Sequence, residues 1–339
     1  MFSYKYNFMK NREGIYSKLV ETIKKEESND VNIISRLKNI LNISQQSISR
    51  RLRGEIPFTF EEVMKISLAF SFSLDEIIGK HRIKGTFLDM KWLLEDEMDI
   101  VGVYNDLITK SIDKMIYIEN DPNALLISAR NRLPLNLLLR YENLTKFQYF
   151  IGRHQVATKA FNMKFSEIDL SPENKQMMRD YINNHRKIKR IELIIDDNTL
   201  LSMIKEITYF YRRKLITDTD IAILQTELFD LVSFVEKFMM EGKNDLGAEN
   251  ICYLSKLDIE TNYSYLQFND QKIVELCIYK EIPAIISDSK VCDIMRKRLE
   301  SLKKYSTLIT GSNELQRTLY LDKQKEYIEN IGRDLLQTY

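Results

Sequence analysis

The chain has 339 residues, with 50 Lys and Arg against 49 Asp and Glu, a net charge of +1, and 44% hydrophobic residues. That apolar content is enough for buried cores, so a disordered chain is excluded, and the length suits two or three domains. The charge balance excludes a generic polycationic coat for nucleic acid, and the ten glycines and five prolines favour long helices over turn-dense β structure.

The first expected helix carries Ile15, Leu19, Val20 and Ile23 on one face. A second follows with Ile33, Ile34, Leu37, Ile40 and Leu41. Asn42 and Ile43 form a short connection. Ser44 can then cap a third helix, because its hydroxyl accepts from the free N–H groups of a first turn. Ile48 and Leu52 lie four apart and share the inward face. Gln45, Gln46, Ser49, Arg50 and Arg53 are left outward. Glutamine pairs two-pronged with adenine and arginine with guanine, so these are the side chains a base reader needs. Gly54 ends the helix, where a positive φ costs glycine little. Pro57 and Thr59 open a fourth helix, with Thr59 and Glu62 spaced as a capping box and Val63, Ile66, Ala69 and Phe70 inward. Ser73 caps a short closing helix to Ile78. Residues 1–82 carry a net charge of +4 and the remainder −3. The basic residues Arg36, Lys38, Arg50, Arg51 and Arg53 crowd into 31–60, the concentrated positive face that phosphate binding requires.

The stretch Asn42–Ile78, with its Ile-Ser-Gln start, Ile-Ser-Arg-x-Leu-x-Gly core and Phe-Ser-Leu-Asp-Glu-Ile-Ile close, resembles the Cro/repressor-type (XRE-like) helix-turn-helix domain. The resemblance covers residues ~10–80 and implies a lambda-repressor-like fold of five helices that docks its third helix in the major groove. By that resemblance the start of the helix, Ser44 onward, faces double-stranded DNA. Gln45, Gln46, Ser49 and Arg50 read bases, and Ser47, Arg51, Arg53 and Lys38 hold phosphates. Arg51 departs from the family, where an apolar or aromatic residue is common, and is therefore assigned to phosphate.

Residues 81–96 look like a connector and hold the only tryptophan, Trp92. Over 97–118 a helix is expected. Val101, Tyr104, Ile108, Met115 and Ile118 fall near a heptad, which suits a dimer seam or an ordinary core face. Residues 124–133 are ambiguous between helix and strand, and 135–163 read as helical. Ser171, Pro172 and Glu173 start a helix running to His185. Residues 191–241 read as two helices parted at Ile216–Asp218. Ile191–Ile195 followed by Asp196 and Asp197 also suits a strand ending in two acids, but Asp197 or Asn198 as a helix cap is preferred. After a polar break at 242–247, short strands are expected at Ile251–Ile259, Tyr263–Phe268 and Ile273–Tyr279, with turns at Asn262 and Asn269-Asp270. A helix at 289–304, a strand at 305–310 and a last helix from Asn313 to Leu336 complete the chain.

The expected fold class is mainly α, with a helix-turn-helix domain at 1–80, the connector at 81–96, a helical dimerisation or regulatory region at 97–245, and an α+β unit at 246–339 for an effector or partner. No run of about 18 apolar residues suggests a membrane span. Cys252, Cys277 and Cys292 are widely spaced and odd in number, so they read as reduced, packed thiols. Met1–Lys5 lacks the apolar core of a signal peptide, and a cytoplasmic location is expected. His81, His154 and His185 have no Cys or His at ligand spacing, and no glycine-rich phosphate loop occurs. No enzyme, metal or cofactor is therefore expected. The basic runs 185–190 and 296–304, and the aromatic–basic run Tyr209–Lys214, suit either solvated helix faces or anion sites. The expected function is a homodimeric, one-component bacterial transcription regulator answering an unknown small-molecule or protein effector. The alternative is a helix-turn-helix tethered to an antitoxin-like or scaffolding interaction module.

Overall fold

A computed structural model describes residues 16–24, 30–70, 72, 74, 77, 100–156, 162–279 and 282–333. The chain divides into two compact units, Met1–Phe87 and Leu88–Tyr339.

The N-terminal unit contains α1 (16–24), α2 (Asp30–Leu41), α3 (Gln45–Leu52) and α4 (Phe60–Phe70). Its core gathers Leu19, Ile23, Ile33, Leu37, Ile48, Ile66 and Phe70, the residues that recur at three- and four-residue spacing along these helices. Each such side chain taken from water stabilises the fold by roughly 1.5–3 kcal/mol. Asn42 adopts φ 52°, and its N–H closes the end of α2 on the Lys38 carbonyl at 2.9 Å. Of the expected closing helix, Leu74 and Ile77 are helical and Ile77 is buried in this core. Its other residues except Leu74 and Ile77, the connector 81–96 and Ile15 lie outside the described residues.

The larger unit is built on a seven-stranded mixed sheet. In chain order its elements are α5 (Ile100–Ile118), β1 (Leu125–Arg130), α6 (Leu135–Leu138), α7 (Glu142–Val156), a 3₁₀ turn (Phe165–Glu167), α8 (Pro172–His185), β2 (Arg190–Ile195), α9 (Leu201–Arg212), α10 (Asp218–Glu241), β3 (Glu249–Ser255), β4 (Tyr263–Phe268), β5 (Gln271–Tyr279), β6 (Ile282–Ile286), α11 (Ser289–Lys304), β7 (Ser306–Leu308) and α12 (Glu314–Glu329). The spatial order is β6-β5-β4-β1-β2-β3-β7. β1, β2 and β3 are parallel, and the outer strands are antiparallel. Leu126 sits in register between Ile191 and Leu266. Side chains alternate between two cores, as strand geometry requires. Leu126, Ile191, Ile195 and Leu254 pack into the large helical layer, whereas Ile127, Ile194 and Tyr265 pack with Cys292 and Leu299 of α11.

Residues 125–130, open between helix and strand in the sequence, form a strand. The topology corrects two expectations. The segment 191–195 is a strand, and neither Asp197 nor Asn198 caps α9, whose N-cap position is Leu200 without a side-chain bond. Asp196 instead accepts from the N–H groups of Asn198 and Ile259 at 2.9 and 3.1 Å. The proposed division of 97–245 from 246–339 also fails. β1 and β2 come from the first stretch yet lie between β4 and β3 of the second, so both stretches share one sheet. A parallel strand buried on both faces lacks the two-residue alternation that reveals half-exposed strands, and the crossover helices hide its partners far along the chain.

Other local signals hold. Thr217 and Asp220 close a capping box at the start of α10, with N–H to oxygen distances of 2.8 and 3.2 Å. Ser171 caps α8, with Pro172 in its first turn. Asn269 and Asp270 both have positive φ, as a two-residue hairpin turn between β4 and β5 demands. Tyr104, Ile108, Met115 and Ile118 of α5 are buried in the unit's own core, so the heptad marks a core face and not a dimer seam. No described helix is long and apolar enough to cross a membrane.

Candidate nucleic-acid interface

α3 is held at both ends and along one face. At its start, Ser44 is extended at φ −64° and its Oγ accepts from the Ser47 N–H. At its end, Gly54 adopts φ +77°, the Gly54 N–H reaches the Arg51 carbonyl at 2.8 Å, and the Glu55 N–H reaches the Arg50 carbonyl at 2.9 Å. These are the paired bonds of a Schellman stop, and the left-handed residue between them is the reason for glycine here. Ile48 is fully buried and Leu52 packs on the same core. The rest of the helix faces outward: Gln45, Gln46 and Arg50 are exposed, and Ser47 and Ser49 are partly so.

Two residues that sequence reading did not assign to this site brace it. Tyr16 of α1 donates its hydroxyl to the Arg51 carbonyl at 2.6 Å and stacks on Phe58, with ring centroids 6.1 Å apart. It lies on the α1 face that carries Leu19, and that spacing was its only sequence signal. Glu62 does two tasks. It accepts the Thr59 N–H at 2.8 Å while its own N–H donates to the Thr59 Oγ1 at 3.2 Å, completing the capping box of α4. It also receives both prongs of Arg51, at 3.1 and 2.9 Å.

That fork corrects the expected role of Arg51. Its side chain is only 15% exposed and Glu62 only 16%, so the guanidinium ties α3 to α4 and is spent before any phosphate arrives. Partial burial opposes the Glu62 charge, but the Arg51 fork and the Thr59 N–H outweigh it and hold the carboxyl below its usual range. Arg36 donates to the Ala69 carbonyl at 2.8 Å and lies 4.3 Å over the Phe70 ring, yet its side chain stays exposed. Of the basic residues in 31–60, Arg51 is withdrawn, while Arg36, Lys38, Arg50 and Arg53 remain exposed.

Arg50 and Arg53 share Glu55, at 3.2 and 2.7 Å. The hydrogen bond from Arg53 holds the Glu55 carboxyl below its usual range, and Arg50 adds to it. All three side chains are about half exposed or more, so water and salt compete with these pairs. Phosphate oxygens can replace Glu55 at little cost.

Among the described residues no group of three or more His, Cys, Asp or Glu side chains could hold a metal ion. Burial raises the thiol pKa of Cys252 and Cys292. Such thiols are poor nucleophiles at neutral pH.

No curated protein and no solved structure matches the chain. Residues 14–98 match the BetR domain, a helix-turn-helix-like DNA-binding domain family, and that stretch contains every residue of the interface just described.

Proposed function

We propose that the protein is a sequence-specific, homodimeric transcription regulator of the one-component type, with an N-terminal reader of the Cro/repressor kind. The observation that carries this reading is α3 itself: capped at both ends, anchored by Ile48, and presenting Gln45, Gln46, Ser49 and Arg50 on its free side. Those four read base edges in the major groove. Ser47, Arg53 and Lys38 hold phosphates, and Arg51 supports the helix from behind. Pairing of two copies would set two such helices on successive major grooves of a two-fold operator. Exposed Phe60, Met64 and Leu68 recur every fourth residue on α4 and supply apolar surface for that pairing. The larger unit would sense a signal and set the activity of the reader, with no chemistry of its own.

The test is selection of bound duplexes from a random pool by the full-length protein at ~150 mM salt, where non-specific contacts are screened. An enriched palindrome with half-sites about one helical turn apart supports the reading. Salt-sensitive binding without enrichment overturns it and favours the interaction-module alternative.

A further inference from the structure

The larger unit encloses a cavity of about 430 Å³ between the β1–β2 surface and helices α8, α10 and α12. That size falls within the range of small-molecule sites. The walls are apolar along the strands and the facing helices, with Leu126, Leu137, Ile191, Leu193, Val232 and Phe238 among them.

Several polar groups of the lining are already used. Ser128 and Ser264 pair through their hydroxyls at 2.9 Å. Thr199 donates to the Asp196 carbonyl at 2.9 Å. Gln324 donates to the Asp197 carbonyl at 3.0 Å and accepts the Leu200 N–H at 3.1 Å. An occupant therefore finds hydrocarbon walls and few open hydrogen-bonding sites, which favours an apolar body.

Charge lies at one end, where the parallel strands begin. Arg140, His185 and Arg186 line this end, together with Lys237, Glu241, Lys243 and Asp245, and Glu241 pairs with Lys237 at 3.7 Å. The loop before β3 is built in place. Gly242 sits at φ +66°, where a Cβ would also press on Thr310 at 3.0 Å, and the Asn244 amide donates to the Arg186 carbonyl at 2.7 Å. Arg186 pairs with Asp245. Arg140 lies 4.0 Å over the Phe234 ring, and among the described residues no carboxylate is within ion-pair distance of it. Arg140 is exposed at the cavity mouth, and the neighbouring protein still desolvates its guanidinium enough to lower its pKa, with Arg186 adding to the effect. An arginine in that setting gains most from an anion, which it can grip in its planar fork.

We infer that this cavity binds an amphipathic organic acid, its apolar body along the β1–β2 wall and its anionic head on Arg140. The inference does not depend on DNA reading and is tested without DNA. Calorimetric titration of the full-length protein would compare decanoate, decanol and decylammonium at submicellar concentrations. Saturable, one-to-one binding of decanoate is expected, with decanol and decylammonium weaker by about tenfold or more, as loss of a charge-assisted bond implies. Arg140→Met keeps the stem of the side chain and should weaken decanoate by about tenfold while leaving decanol unchanged; Arg140→Lys should recover part of the loss. Absence of decanoate binding, equal binding of decylammonium, or an Arg140→Met variant that binds decanoate as tightly as the parent would each overturn the assignment.

Discussion

The two units present their surfaces to partners in opposite ways. In the N-terminal unit the candidate contacts, apart from Lys38 of α2, lie on one short helix and its caps and point outward, and the core behind them only holds the helix still. In the larger unit the candidate contacts point inward, and the cavity draws its walls from residues as far apart as Leu126 and Gln324. A rigid polymer such as DNA is met by a convex helix. A small apolar molecule must be surrounded, which takes several elements. The contrast also appears between neighbours: Arg50 and Arg51 are adjacent, yet one is half exposed and shares Glu55 while the other is folded onto Glu62.

Ways to break this comparison run from the core outward. Ile48→Ala removes the buried anchor of α3 and should cost roughly 2–5 kcal/mol, read by denaturant unfolding of the N-terminal unit. A loss below 1 kcal/mol would mean that α3 is not held by its buried face. Glu62→Gln leaves the capping geometry but strips the charge from the Arg51 fork, and should cost about 2–3 kcal/mol on the same transition. If Arg51 instead served phosphates, this variant would keep its stability and bind DNA more tightly.

Gln45→Ala and Arg50→Ala should each lose roughly 1–3 kcal/mol of discrimination for operator over random duplex. Equal losses on both duplexes would remove these residues from base reading.

His185 separates the units by pH. Burial, helped by the charge of Arg140, pushes its pKa down from 6.5 to about 4. The imidazole is therefore neutral in the fold. As pH falls from 6.5 towards 4 the unfolded chain takes up a proton that the folded one refuses, so the larger unit loses about 1–2 kcal/mol across that window. His185→Gln should flatten the fall in Tm between those pH values, and an unchanged slope would show that His185 does not control it. The smallest effect is expected at the surface. Glu55→Gln frees Arg50 and Arg53 and should tighten binding to any duplex by a few-fold, without altering sequence preference. Unchanged affinity at low salt would show that the two arginines do not reach phosphate.

Much of the N-terminal unit was legible because its signals are local. The Ser44 cap, the Gly54 stop, the Thr59–Glu62 box and the Ile48–Leu52 face each need residues no more than four apart. The same holds for the Thr217–Asp220 box and the Asn269-Asp270 turn. Arg51 was misread because its partner is eleven residues away across the turn, and nothing in its neighbourhood distinguishes a buried fork from a surface cation.

The amino-acid sequence by itself determined how α3 starts and stops and which of its faces is buried, because capping and amphipathic spacing are short-range effects. Tertiary structure alone decided that β1 and β2 sit between strands contributed by the last third of the chain, that Arg51 is withdrawn from the surface, and that Arg140 and His185 meet at one cavity mouth. Pairing of parallel strands and closure of a cavity depend on segments dozens of residues apart, and their energy comes from burial that no single segment encodes.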